Sequence, residues 1–286
     1  AGMKLGNQEI TWEQVRHILL WIALPLIIGV LIAAAVPKPV IGLIHLNDAI
    51  YSYSAQDMIA QINYAREHPE VRAVVLVMDS PGGTVADTEA VYLELLRLRQ
   101  AKPIVTSVGS MAASGAYYLS VGSDYIFAKP TSEIGNIGVI GYLPPSPIIF
   151  EDIISTGPYK LWGSPRDTYV REMEMIKQGF YQAVRLGRGG RLEVGPETIL
   201  RGQIWPGSEA LRMGLIDALG AESDAVAKAA ELARVGHYQA ADLYDLAGVQ
   251  SSSSAFFYQS PEGITMPYPK EPGLYLLYIP PLPVEK

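Results

Sequence analysis

The chain has no cysteine among its 286 residues, and only four histidines. Without thiols there is no disulfide, no thiolate nucleophile and no cysteine-ligated zinc, and redox chemistry says nothing about compartment. Charge is also sparse: charged residues make up 18% of the chain, the net charge is −7 and the pI is about 5.2. A phosphate-backbone partner needs a basic patch, and none is present, so nucleic acid is not expected. Few histidines also leave few imidazole bases. His17 borders an apolar run, His45 lies in an expected strand, His68 precedes Pro69 and His237 opens the C-terminal stretch. None of the four is well placed by sequence, although a triad assembles in space and spacing alone does not exclude one.

What the chain does have is one long run without charge, Ile18 to Val36. At about 1.5 Å per residue it is close to the roughly 30 Å of a hydrocarbon core, and predicts one N-terminal transmembrane helix. Trp12 and Trp21 near one end and Lys38 at the other resemble interfacial anchors. Ala33-Ala34-Ala35 also fits a signal-peptide cleavage site, the rival reading. Lys4 and Arg16 precede the run while only Lys38 closely follows it, so the positive-inside rule predicts a single-pass protein with an extracytoplasmic body. The expected organisation is an anchor over 1–37, a catalytic body over 38–235 and a Ser-, Pro- and aromatic-rich tail over 236–286.

Within the body, apolar β-branched runs alternate with helix-period stretches. Val40 to Leu46, Val71 to Met78, Pro103 to Val108 and Asp124 to Ala128 read as strands. Met58, Ile62 and Ala65, and then Val91, Leu95 and Leu98, mark helical faces between them. Tyr169, Met173, Ile176, Phe180 and Val184 form another helical stripe, read as a core face. This order predicts an α/β fold with parallel strands.

Two small-residue segments end adjacent strands. Asp79-Ser80-Pro81-Gly82-Gly83 follows the second strand, and Gly109 to Gly115, holding Ser114, follows the third. A serine at a helix start flanked by alanine and glycine presents its hydroxyl with little bulk around it. Backbone N–H groups at Gly83 and Gly115 are expected to meet on one oxygen, as a tetrahedral intermediate requires. A serine nucleophile needs a base, and a lysine serves only where burial or neighbours hold its amine neutral. Lys160, in Gly157-Pro158-Tyr159-Lys160-Leu161-Trp162, has apolar and aromatic neighbours; Lys129 and Lys177 are its rivals.

These segments, together with Gly202-Gln203-Ile204-Trp205-Pro206-Gly207, Ala210 and Gly214-Leu215-Ile216-Asp217, resemble the signal peptide peptidase A family of membrane-bound serine proteases. Those are relatives of the Clp protease proteolytic subunit in the crotonase-like superfamily, and the similarity runs from about Val40 to Ala233. Ala116 stands where many members carry glycine. The resemblance implies a ClpP/crotonase-like superhelix of ββα units, with Ser114 as nucleophile, Gly83 and Gly115 as the oxyanion hole and Lys160 as general base. It further implies hydrolysis of hydrophobic, membrane-derived peptides through an acyl-enzyme, without metal or organic cofactor, in a homo-oligomer whose serine and lysine come from adjacent protomers. One departure is Asn136, where members commonly carry a serine that orients the lysine; its side-chain carbonyl is expected to take that role.

Two other functions compete. A catalytically weak or inactive relative acting as a membrane-complex scaffold is suggested by Asn136 and by the aromatic tail. A crotonase-type acyl-CoA enzyme would use the same two-amide hole, but Ser114 and the apolar run argue against it. Ser251 to Ser254 followed by Phe256-Phe257-Tyr258 reads either as a disordered terminus or as an arm docking on a neighbour or on the substrate groove. A substrate peptide is expected to add as a strand beside Gly82-Gly83.

Overall fold

A computed structural model describes residues 3–5, 8–10, 12–35, 38–142, 156–157, 159–160, 165–250, 256–261, 263 and 265–280. The chain divides into two units, Ala1–Pro39 and Val40–Lys286.

In the first unit β1 (Met3–Leu5) and β2 (Gln8–Ile10) pair antiparallel. Then follow α1 (Trp12–Ile18), a π-helical turn (Leu19–Ala23) and α2 (Leu24–Ala35). The expectation of one uninterrupted spanning helix is corrected here: among the described residues no helix is long and apolar enough to cross a membrane. Pro25 has no N–H to give the carbonyl one turn earlier and its ring crowds that turn, so the ladder widens just before it. The 12 residues of α2 alone reach only about 18 Å. Val36 and Pro37, the expected break, lie outside the described residues. The composition is as apolar as it reads, however: Leu20, Trp21, Ile22, Leu26 and Leu31 are all more than half exposed.

The second unit is built on an eight-stranded sheet. Its first strands are β3 (Val40–Leu46), β4 (Val71–Ser80) and β6 (Ile104–Ala113), all parallel, joined by α3 (Ser52–Glu67), the short β5 (Gly82–Thr84) and α4 (Val85–Arg99). After α5 (Gly115–Ser120) come β7 (Tyr125–Ala128), β8 (Glu133–Gly135) and β9 (Ile140–Tyr142). The long β6 pairs with β7 through Val105–Val108 and with β8 through Met111–Ala113. One strand thus serves two neighbours, and its far end is carried out to the site. The helix α6 (Arg166–Arg188) leads through α7 (Pro196–Ile199) to β10 (Ile204–Pro206), which closes the sheet edge antiparallel to β8. Then α8 (Gly207–Arg212), β11 (Ala218–Leu219) parallel to β7, and α9 (Glu222–Leu232) complete the body.

Period-two alternation explains the layering. In β4, Val74, Leu76 and Met78 face a core shared with Met58 and Ile62 of α3 and Val91 and Leu95 of α4. Ala73 and Val75, on the other face, pack with Val105 and with Ala225 and Ala229 of α9. Both faces of a parallel sheet are covered, which is why these strands read as continuous apolar runs. The α6 stripe is a core face toward its end, where Phe180 and Val184 are fully buried.

The residues after 235 are integrated into this unit. β12 (Gln239–Asp242) adds parallel to β3, and α10 (Leu243–Leu246) follows it, with Leu243 buried against Gly42. β13 (Phe257–Gln259) and β14 (Thr265–Pro269) pair antiparallel, and β15 (Gly273–Leu277) lies antiparallel between β5 and β9. The Ser251–Ser254 run lies outside the described residues.

Candidate active site

The first half of the site is the turn between β4 and β5. Gly82 has φ +93°, a left-handed conformation that glycine takes without cost, and its N–H meets the Ser80 hydroxyl at 3.2 Å. The Gly82 carbonyl accepts from Ile50 N–H (2.8 Å), and Thr84 N–H donates to the Ile50 carbonyl (2.9 Å). With its neighbours so engaged on the Ile50 side, Gly83 N–H points to the opposite edge of β5, where β15 lies. Gly83 must lack a side chain, because a Cβ there would come within 1.8 Å of the Ile50 carbonyl oxygen.

The second half is the turn from β6 into α5. Ser114 has φ 53° and ψ −118°, a region non-glycine residues rarely enter, and is only 1% exposed. Its N–H donates to the Gly135 carbonyl (2.8 Å) and its carbonyl accepts from Tyr118 N–H (2.9 Å), so the strained residue is held from both sides. All six residues of α5 are buried, and Tyr117 Oη donates to the Leu215 carbonyl at 2.8 Å. Burial raises the Tyr117 phenol pKa well above its ordinary value, so it remains a donor. The Ser114 turn is therefore set on a buried, hydrogen-bonded base.

The two halves touch. A Cβ on Gly82 would fall 2.6 Å from Gly115 N, and one on Gly115 would fall 2.8 Å from Thr88 Oγ1. Between them lies a third backbone group, the carbonyl oxygen of Leu276, 2.0 Å from the Gly82 Cβ position and 3.0 Å from that of Gly115. Tyr278 N–H donates to the Pro81 carbonyl (2.7 Å), and in an antiparallel ladder the next hydrogen-bonded pair lies two residues on: Leu276 with Gly83. The Leu276 carbonyl oxygen thus lies against both glycine turns.

Asn136 is beside this centre but differently engaged. It has φ 53°, its N–H donates to the Gln203 carbonyl and its Nδ2 donates to the Gly202 carbonyl, both at 2.7 Å. Its Oδ1 has no hydrogen-bond partner among the described residues. Lys160 lies in a turn with its N–H on the Gly157 carbonyl (3.2 Å), and is exposed. Pro158, Leu161 and Trp162 lie outside the described residues, and no described contact joins Lys160 to Ser114 or Asn136. Lys177, on α6, pairs with Glu174 and lines a cavity of about 540 Å³ together with Asn136, Gly202 and Leu277. Lys129 is exposed, and no described contact joins it to Ser114. His45 approaches Asp242 (3.2 Å), and His68 stacks on Tyr64; neither has a described contact with Ser114.

Three contributors escaped the sequence reading: Ile50, Thr88 and Leu276. Each reaches the site only through tertiary pairing. The one signal available was the apolar Gly273-Leu274-Tyr275-Leu276-Leu277 run between two prolines, itself a strand pattern.

Among the described residues no group of histidine, aspartate and glutamate is arranged to hold a metal. The fold thus brings the strained Ser114-Gly115 turn, where β6 passes into α5, against the Gly82-Gly83 loop that follows β4. Comparison with known proteins finds peptidases. The family model for Clp protease matches residues 41–134, and that for peptidase family S49 matches residues 97–236. Protease 4 of Salmonella typhi is 37% identical over 190 residues, 62% of this chain and 31% of that protein. The chloroplastic serine protease SPPA of Arabidopsis thaliana is 29% identical over 212 residues, 69% of this chain and 31% of its own. A Synechocystis homologue is 31% identical over 208 residues, 68% of this chain and 74% of its own. The chain belongs to peptidase family S49, the signal peptide peptidase A family. It spans about a third of the length of the Salmonella and Arabidopsis relatives.

Proposed function

We propose that this chain is a serine endopeptidase that cleaves extended apolar peptides through an acyl-enzyme. The observation that supports it most directly is the acyl oxygen of Leu276 lying against the Gly82-Gly83 loop and Gly115, the residue after Ser114. A substrate strand in that position presents its scissile carbonyl to the Ser114 hydroxyl. In the proposed reaction the Lys160 amine takes the hydroxyl proton as Oγ bonds the carbonyl carbon. Negative charge develops on the oxygen, where the two N–H groups hold it. Collapse breaks the C–N bond, the leaving amine receives the proton from Lys160, and a water activated by the same amine releases the acid.

A lysine base needs shelter, and the single chain leaves Lys160 exposed. The reading is therefore that a neighbouring copy covers it, with Asn136 Oδ1 free to accept from the amine. Ser114→Ala and Lys160→Ala chains are each expected to be inactive alone and to regain turnover when mixed during assembly. Mixtures that stay inactive would contradict a dyad shared between copies. A second reading, favoured by the cavity lined by both Lys177 and Asn136, has Lys177 as the base within one chain. It requires Lys177→Ala to abolish turnover while Lys160→Ala retains it.

The hole itself is tested by Gly83→Ala. The Cβ must displace the Ile50 backbone, moving the donor N–H, and a loss of about 10²-fold or more in turnover number is expected. An unchanged rate would remove Gly83 from the mechanism.

Membrane attachment belongs to the same proposal. Exposed Leu20, Trp21, Ile22, Leu26 and Leu31 present apolar surface that lipid accepts and water does not, which would keep the body near membrane-derived peptides. The scaffold alternative lacks a comparable supporting observation.

A further inference from the structure

β15 does more than close a sheet. Both its edges are paired, with β5 through Tyr275–Leu277 and with β9 through Gly273–Tyr275, so the groove beside the oxyanion turn has no free edge for another strand. Tyr275, Leu276 and Leu277 are 4%, 0% and 2% exposed, as deeply buried as the core. The segment before β15 is clasped as well: Phe256 stacks on Tyr51 at 5.4 Å and meets Tyr275 edge-on at 6.1 Å. Beyond it, Phe257, Met266 and Tyr278 line a cavity of about 510 Å³ with Asp79, Ser110 and Glu133, next to the turn that carries Gly82.

A strand added merely for stability has no reason to place one carbonyl between two catalytic amides. We propose that Gly273–Leu277 is an internal pseudosubstrate, holding the peptide groove closed in its own chain with Leu276 at the residue whose carbonyl would be attacked. This rests on the peptidase reading of the site and adds its regulation: the chain is latent until β15 leaves the groove. The docked strand defines what displaces it, an extended peptide with a leucine-sized aliphatic residue at the Leu276 position.

The test uses full-length chains with opposite expected signs. Leu276→Asp places a carboxylate in a dry apolar pocket and should release the strand, raising turnover of a fluorogenic apolar peptide about tenfold or more. Tyr142→Cys with Gly273→Cys joins register partners in a chain otherwise free of cysteine. A pair at such a spacing of about 5.5 Å accepts a disulfide. Oxidation should lower turnover below that of the unsubstituted chain, and reductant should restore it. Where the unsubstituted chain or a variant hydrolyses the peptide, a Leu276→Asp rate at or below the unsubstituted one, or a rate unchanged by oxidation of the cysteine pair, overturns the pseudosubstrate role. A binding measurement decides the matter independently of hydrolysis. A labelled synthetic peptide spanning residues 271–280 should bind the Ser114→Ala, Leu276→Asp chain and not the Ser114→Ala chain. Equal binding by both, or binding by neither, would defeat the proposal. If the peptide binds as expected while no variant hydrolyses any peptide, the pseudosubstrate stands and the peptidase reading fails.

Discussion

Ser114→Ala is expected to lower peptide turnover about ten-thousand-fold or more while leaving the fold intact, because the proposed mechanism forms its acyl bond on that hydroxyl. Ser114→Gly is expected to be equally inactive and more stable than the parent chain. The native residue is held at φ 53° and ψ −118°. Such a conformation costs of order 1–3 kcal/mol for a residue with a Cβ and almost nothing for glycine. The test is a chemical-denaturation midpoint for each variant beside its turnover. An alanine variant of undiminished activity would end the role of Ser114. A glycine variant less stable than the parent would mean that the backbone there carries no strain.

The second large effect concerns stability. Asp217 is bound by Arg188 in a two-pronged contact, Nη1 to Oδ2 at 2.8 Å and Nη2 to Oδ1 at 2.9 Å, with Arg191 Nη1 at 2.7 Å and Ile126 N–H at 2.8 Å. The Arg188 side chain is 1% exposed and that of Asp217 5%. Asp217→Ala leaves the guanidinium buried without its counter-charge, and a loss of about 3–5 kcal/mol is expected. The double variant Arg188→Met, Asp217→Leu should lose less than Asp217→Ala, since no charge is then stranded. Urea midpoints of the variants measure both; a change below about 1 kcal/mol in Asp217→Ala would show the pair to be incidental.

The same contact gives a pH dependence. Burial pushes the Asp217 carboxyl up, but its hydrogen bonds and the charges of Arg188 and Arg191 outweigh this and hold it below the ordinary carboxylate value. Its stabilising contribution is therefore complete above the unfolded pKa of about 3.9 and is lost as pH falls through the lower folded value. Denaturation midpoints should fall more steeply below about pH 4 in the parent chain than in Asp217→Ala.

Much of this was legible because local patterns and tertiary structure agree. Val71 to Met78 has to be a strand covered on both faces, and Gly82-Gly83 and Ser114-Gly115 follow strands as tight turns must. β6 ran five residues beyond its expected end at Val108, because Met111–Ala113 find a partner in β8 that no local pattern announces. The apolar N-terminal run was read correctly in composition but not in continuity: Pro25 reads as at most a kink in a tolerant helix, whereas a π-helical turn divides the run just before it. The role of Leu276 was out of reach, because its partner Gly83 lies far away in sequence and pairing of that kind leaves no local trace. For Asn136 the residue type offered an acceptor, and what local pattern could not show is that the fold fixes its amide nitrogen on the Gly202 carbonyl.

If Ser114 forms the acyl bond within a hole made by Gly83 and Gly115, a serine-directed phosphonate probe should find it, and mass-spectrometric mapping on the Leu276→Asp chain reads this out. One adduct is expected, on the peptide that contains Ser114, with loss of turnover in proportion to labelling. A chain that hydrolyses peptide while Ser114 stays unmodified and another residue carries the probe would contradict it.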